Sequence, residues 1–283
     1  MPIKVNDIFY TYNLNTPFKS PAINGVTLEI KSGSFSAFIG ATGSGKTTIV
    51  QELNGLLRPT SGTIEVDDFI ISNKKIKNIN KLRKHVGLVF QFPEYQLFEE
   101  TVEKDVAFGP KNFGLKEEEA LKKAHAALIA VGLDDSYFNK SPFELSGGEK
   151  RRVAIAGIIA IEPDILVLDE PTVGLDPKGA HEIMSLVDKM HKDGKTIILV
   201  THDMNVVLKY AENVFVIKDG KLLISGTPGE VFANIDNSSG IEVPPLFAFA
   251  NKLLEAGMKI DINKIKDIDS LVSYIKDYKE SIK

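Results

Sequence analysis

Two turns in this sequence have the residue types needed to grip a phosphate. GATGSGKT, from Gly40 to Thr47, follows the apolar segment SFSAFI. Its glycines let the backbone wrap closely, so that N–H groups can point at an anion. The candidate cradle is Gly40, Ala41, Thr42, Gly43, Ser44, Gly45 and Thr48. Lys46 would neutralise the β and γ oxygens of a nucleotide, and the Thr47 hydroxyl would bind Mg²⁺. The second turn, LSGGE, runs from Leu145 to Glu149 and opens the helical segment KRRVAIAGIIAI. There Ser146 and the amides of Gly147 and Gly148 could face an anion at a helix N-terminus. Both turns could serve one nucleotide, or each could serve a separate nucleotide shared between two chains. Spacing does not separate these cases.

The first turn fits G-x-x-x-x-G-K-[ST] between a strand and a helix, which implies a P-loop nucleoside triphosphatase. Alone it leaves kinases and GTPases open. The segment ILVLDE, Ile165 to Glu170, adds an apolar strand that ends in adjacent carboxylates. Asp169 suits a Mg²⁺ shell. Glu170 suits the base or water-orienting group for attack on a γ-phosphate. THD ends the next apolar run and would bring His202 to the same sheet edge as a hydrogen-bond donor to phosphate. His85, His125, His181 and His191 have no such context.

These groups need a frame. SFSAFIG, IEVDDFII, VGLVFQ, ILVLDE and TIILVTH read as strands, ILVLDE and TIILVTH being continuous apolar runs of the kind covered on both faces. Helical segments alternate with them, TTIVQELNGLL from Thr47 to Leu57 among them, so a parallel α/β sheet is expected. From Phe92 to Ile161 the pattern turns helical, with Leu121, Ala124, Leu128 and Val131 on one face. NIDNSSGIEVPP reads as a linker. Beyond it, Ile268, Leu271, Val272, Ile275 and Tyr278 share a helical face.

Composition narrows the function. With no cysteine, disulfides and thiolate zinc sites are excluded. A net charge of −4 argues against a nucleic-acid partner. The one basic cluster, KKIKNINKLRK, lacks interleaved aromatics and reads as a solvated loop and helix start. The first residues lack a signal-peptide core, and no apolar run approaches the ~20 residues that cross a bilayer. The chain reads as soluble, with any membrane role exercised through a partner.

LSGGEKRRVAIAGIIAIEPDILVLDEPTVGLD resembles the signature, Walker B and D-loop of ATP-binding cassette ATPases. The resemblance implies an α/β P-loop (RecA-like) core with an antiparallel β subdomain, a helical signature subdomain and a small helical C-terminal extension. The corresponding boundaries are 1–92 and 162–235, 93–161, and 236–283. It implies ATP and Mg²⁺ as ligands and a head-to-tail dimer in which one subunit's signature covers the other's ATP. It also assigns Tyr12 to adenine stacking, where a packed strand tyrosine is the other reading. Gln91 becomes the glutamine that senses Mg²⁺ and links to the helical subdomain, and Asp176 the D-loop aspartate. Glu149 stands where many signatures have Gln, and Gly174 where many D-loops have Ala.

QFPEYQLFEETVEKDVAFGPKNFG, Gln91 to Gly114, and PPLFAFANKLLEAG, Pro244 to Gly257, are similar to the ATPases of energy-coupling factor transporters. The form QFPEYQLFEETV resembles the second of the two ATPases in that module. This implies a heterodimer with a distinct cassette ATPase, a homodimer being the other case. It further implies a transmembrane scaffold, substrate-binding membrane subunits, and a peripheral place on the cytoplasmic face of the membrane. The cargo would be vitamins or metal ions. Glu94, Glu99, Glu100, Glu103 and Asp105, beside Phe92, Tyr95 and Phe98, could receive a basic amphipathic helix, a solvated acidic face over ordinary core aromatics being the other reading. A conventional cassette importer and a soluble non-transport cassette ATPase are the competing readings.

Overall fold

The computed structural model describes residues 2–236 and 240–281. Two sheets dominate it. A six-stranded sheet has the order β10-β9-β3-β8-β7-β6, with β3 (Phe35–Ile39), β6 (Val86–Val89), β7 (Ile165–Asp169), β8 (Thr196–Val200), β9 (Asn213–Lys218) and β10 (Lys221–Gly226). All its pairings are parallel except β9 with the edge strand β10. A four-stranded antiparallel sheet, β2-β1-β4-β5, comprises β1 (Ile3–Tyr12), β2 (Ser20–Ile30), β4 (Ser61–Val66) and β5 (Phe69–Ile71).

Period-two alternation divides the parallel strands between two cores. Phe35, Ala37, Ile39, Leu166, Leu168, Ile197 and Leu199 face the side that carries the helical segment. Phe38, Ile165, Val167, Ile198 and Val200 face the side shared with the antiparallel sheet and α1 (Lys46–Leu53). Both faces are covered, which explains why these strands read as unbroken apolar runs.

Three sequence expectations need correction. IEVDDFII is not one strand but the β4–β5 hairpin, turning at Asp67 with φ +48°. The helix expected to reach Leu57 stops at Leu53, because Gly55 takes φ +68° and a Cβ there would sit 2.7 Å from Ile76 Cδ1. Leu56, inside the expected segment but past the helix end, is exposed. On α10 (Ile268–Ser281), Leu271 is buried and Tyr274 and Ile275 pack beside it, whereas Ile268 is 70% exposed. The buried face is therefore narrower than the periodicity suggested.

α2 (Ile79–His85) precedes β6. The intervening helices are α3 (Val102–Asn112), α4 (Glu117–Ala130) and α5 (Gly147–Ile159). α4 buries Ala120, Ala124, Ala127 and Leu128 along one stripe. α6 (Pro177–Lys192) follows β7, α7 (Met204–Tyr210) follows β8, and α8 (Pro228–Asn234) follows β10. Residues 237–239 of the expected linker lie outside the described residues. Past them the chain docks on the core: Ile241, and Phe247 on α9 (Pro245–Glu255), join the main cluster. Burying a side chain such as Phe247 contributes about 2–3 kcal/mol. Lys266 Nζ adds a bond to the Ala211 carbonyl at 3.2 Å.

Candidate functional site

β3, β8 and β7 are neighbours, and their carboxyl ends lie on one edge, where ligands bind in open α/β sheets. Register places Phe38 opposite Val200 and Asp169 opposite Val200 on its other side. The phosphate turn, the acidic pair and Thr201–His202 therefore leave the sheet together.

The turn depends on glycine at its two ends. At Gly40 (φ +147°) a Cβ would lie 2.1 Å from the Ile217 carbonyl oxygen, and at Gly45 (φ +109°) 2.7 Å from that of Ala22. Lys46 Nζ lies back over the turn and donates to the carbonyls of Gly40 (2.8 Å) and Ala41 (2.9 Å), with Ser44 Oγ at 3.3 Å. Burial lowers the Lys46 pKa, and the charges of Glu170 and Asp169 oppose that shift. The cation is thus solvated by the loop that would wrap an anion.

Thr47 Oγ1 donates to Asp169 Oδ2 at 2.8 Å. Asp169 is 3% exposed, and burial raises its carboxyl pKa against the lowering effect of the Thr47 bond. Glu170 follows at φ +51°, with its N–H donating to the Val200 carbonyl at 2.9 Å. Its Oε1 accepts from His202 Nδ1 at 2.9 Å, while Oε2 is buried without a partner. An orphaned buried acceptor costs about 1–3 kcal/mol, so this one fits a site completed by a ligand or a water. Tyr12 lies beside this cradle, its hydroxyl 3.0 Å from Thr48 Oγ1 and its ring edge-on to Tyr10 at 4.8 Å.

Other candidates stand apart. Among the described residues, no hydrogen bond or ion pair joins 146–148 to 40–48. Ser146 caps α5 in a reciprocal box with Glu149, whose other oxygen accepts from the Tyr137 hydroxyl at 2.8 Å. Asp176 caps α6 through the Gly179 N–H at 2.8 Å. Gln91 lies just past β6 and is exposed. Arg151 escaped sequence reasoning, although helical spacing sets this charge on the face of Ile155 and Ile158. That anomaly was its available signal.

The surface after Gln91 is less acidic than its composition suggests. Asp105 is spent on the N–H groups of Phe98 (2.8 Å) and Glu99 (2.9 Å), Glu100 pairs with Lys104, and Glu103 with His125. What opens there is a largely apolar groove of about 230 Å³ lined by Phe90, Leu97, Phe98, Phe108, Ile158 and Ile161, among others. Tyr95 stands 85% exposed in the same segment. No described helix is long and apolar enough to cross a membrane.

The sequence matches the ABC transporter family over residues 23–173. The energy-coupling factor transporter ATP-binding protein EcfA2 of Streptococcus sanguinis is 52% identical, over 95% of this chain and 99% of that protein. EcfA2 of Clostridium acetobutylicum is 53% identical over 92% of each. Among solved structures, cbiO1 of Clostridium perfringens, part of the ABC transporter complex cbiONQ, superposes with a TM-score of 0.70 at 40% identity, covering 89% of this chain and 98% of that one. A dimeric ATP-binding cassette in a post-hydrolysis state, bound to ADP and Pi, gives 0.73 at 32% identity, over 80% of this chain and 98% of that one.

Proposed function

We propose a mechanism from one premise: the chain belongs to the ABC transporter family, among the ATP-binding proteins of energy-coupling factor transporters. It is an ATP-binding and ATP-hydrolysing subunit that energises membrane transport. The observation that carries the mechanism is the placement of Glu170, held by His202 on one oxygen and unpartnered on the other, one residue beyond the Asp169–Thr47 bond.

In this mechanism the backbone of residues 40–48 cradles the phosphates of ATP, and Lys46 exchanges its loop carbonyls for phosphate oxygens. Tyr12 offers its ring to the base. Thr47 and Asp169, whose side-chain oxygens already meet, would with Gln91 supply an all-oxygen donor set for Mg²⁺, which would neutralise phosphate charge there. Glu170 orients the attacking water and takes its proton, and His202 donates toward the γ-phosphate.

Ser146, Gly147 and Gly148 cap the nucleotide of a second cassette ATPase, and Asp176 faces that subunit across the dimer. On this reading the two phosphate turns of one chain serve two different nucleotides. The core is 1–92 with 162–235, the signature subdomain 93–161 and the extension 236–283. The apolar groove receives a transmembrane scaffold, which holds the chain peripherally at the cytoplasmic face of the membrane. Substrate-binding membrane subunits supply the vitamin or metal-ion cargo, and closure of the dimer is passed to them.

Purification of the tagged protein from its native membrane in gentle detergent is expected to bring a second cassette ATPase, one scaffold and several small membrane proteins. Recovery of only its own copies with one dedicated permease would move the chain to conventional importers. Recovery of ribosomes or DNA-bound proteins without membrane partners would overturn the transport reading. Separately, Lys46→Ala removes a charge-assisted contact and should weaken ATP binding roughly 10–100-fold by calorimetry. Unchanged affinity would remove Lys46 from the phosphate site.

A further inference from the structure

The guanidinium of Arg151 is spread over the loop that follows the acidic pair. The side chain is 3% exposed. Nη2 donates to the Glu170 carbonyl at 2.7 Å, Nε to that of Pro171 at 3.0 Å, and Nη1 to that of Val173. The loop therefore has three carbonyls fixed by one rigid fork, an arrangement that an ammonium could not reproduce. Glu170 itself sits at φ +51°, a conformation uncommon for a residue with a Cβ. It is kept there from both sides, by its own N–H on Val200 and by Arg151 on its carbonyl.

The same guanidinium also meets the segment that opens the apolar groove. Its centre lies 5.9 Å from the Phe92 ring, and Nη1 lies 3.8 Å from Glu94 Oε2. That carboxylate oxygen is buried and has no hydrogen-bond partner, so Arg151 is the charge that compensates it. Phe92 is also held at a positive φ, +57°. One side chain thus lies against two residues held at positive φ, Phe92 at the groove and Glu170, proposed as base. Arg152 takes no part in this, being directed to the Val131 carbonyl and to Glu182 of α6.

We infer that Arg151 is a positioning residue that holds Glu170 for hydrolysis and ties that position to the groove segment through Phe92 and Glu94. The role rests on the ATPase mechanism given above. A shift of Phe92–Glu94 on partner binding would act on the carbonyls of 170–173 through a single rigid group, with no need for Gln91 to bridge the distance.

The test uses the assembled complex, with ATP turnover and ATP affinity measured for Arg151→Lys, Glu94→Gln and the double variant. Arg151→Lys keeps the charge and loses the fork, so kcat should fall roughly 10–100-fold while KM changes less than about threefold. Glu94→Gln should lower kcat by a smaller factor, and the double variant should be no slower than Arg151→Lys alone. Full turnover by Arg151→Lys would overturn the role, as would parallel losses of turnover, affinity and thermal stability, which mark a merely structural contact. Additive losses would break the tie to the groove. If Arg151→Lys fails to fold, Glu94→Gln decides: unchanged turnover overturns the tie, and lowered kcat at constant KM supports it. No hydrolysis by the unaltered complex would instead overturn the ATPase mechanism, and this role with it.

Discussion

Glu170→Gln is expected to cut ATP turnover by roughly 10²–10⁴-fold, the range associated with loss of a general base. ATP affinity should stay within about threefold, because no phosphate-cradling group is touched. The substitution is nearly isosteric, and the amide oxygen can still accept from His202 Nδ1, as Glu170 Oε1 does at 2.9 Å. The side chain is also anchored from the backbone, where Val200 and Arg151 hold the flanking groups. What disappears is the second carboxylate oxygen, buried and unpartnered, which the proposed mechanism uses as proton acceptor and an amide nitrogen cannot replace. Single-turnover hydrolysis with calorimetric ATP binding would check this. Retained turnover would move the base to another residue; lost binding would mean that the change collapsed the cradle.

The groups at the sheet edge were legible because strand ends are legible. An apolar run that stops abruptly at Asp169 or at Thr201 marks both the strand and the polar group it delivers, and the parallel order of β3, β8 and β7 then makes them neighbours. Arg151 was not legible in the same way, since its partners are main-chain carbonyls, which carry no sequence signal. The free acidic charge of Gln91–Gly114 was overstated for a related reason. Composition counts carboxylates but does not show that Asp105 is consumed by two backbone N–H groups. Likewise, Leu56 and Ile268 kept a helical period that the chain abandons, at Gly55 in one case and through exposure in the other. Periodicity reports the face a helix could bury, and tertiary packing decides how much of it is used.

Glu52→Leu is expected to stabilise the protein, and by more at pH 8 than at pH 5. Glu52 lies on α1 between the two sheets, is fully buried, and has neither carboxylate oxygen hydrogen-bonded. Burial pushes its pKa from 4.5 up to about 8. The folded chain therefore binds this proton more tightly than the unfolded chain does. Relative to an apolar residue, the penalty is smallest below pH ~4.5, grows as pH rises, and levels off above the folded value. Near pH 8 it amounts to about 2–4 kcal/mol after allowance for local relaxation, and for a chain of this size that corresponds to a melting temperature higher by roughly 4–10 °C in the variant. Leucine also suits the neighbours, since Ile49, Val50 and Leu53 of the same helix are all buried in that core. Glu52→Gln separates charge from packing: it abolishes the titration at equal volume and should flatten the same pH dependence while leaving a polar group unsatisfied. Thermal melts of the three proteins from pH 5 to pH 8 would decide. A wild-type minus Glu52→Leu difference that stays constant with pH would show that Glu52 reaches a partner or water in solution and does not carry a buried proton.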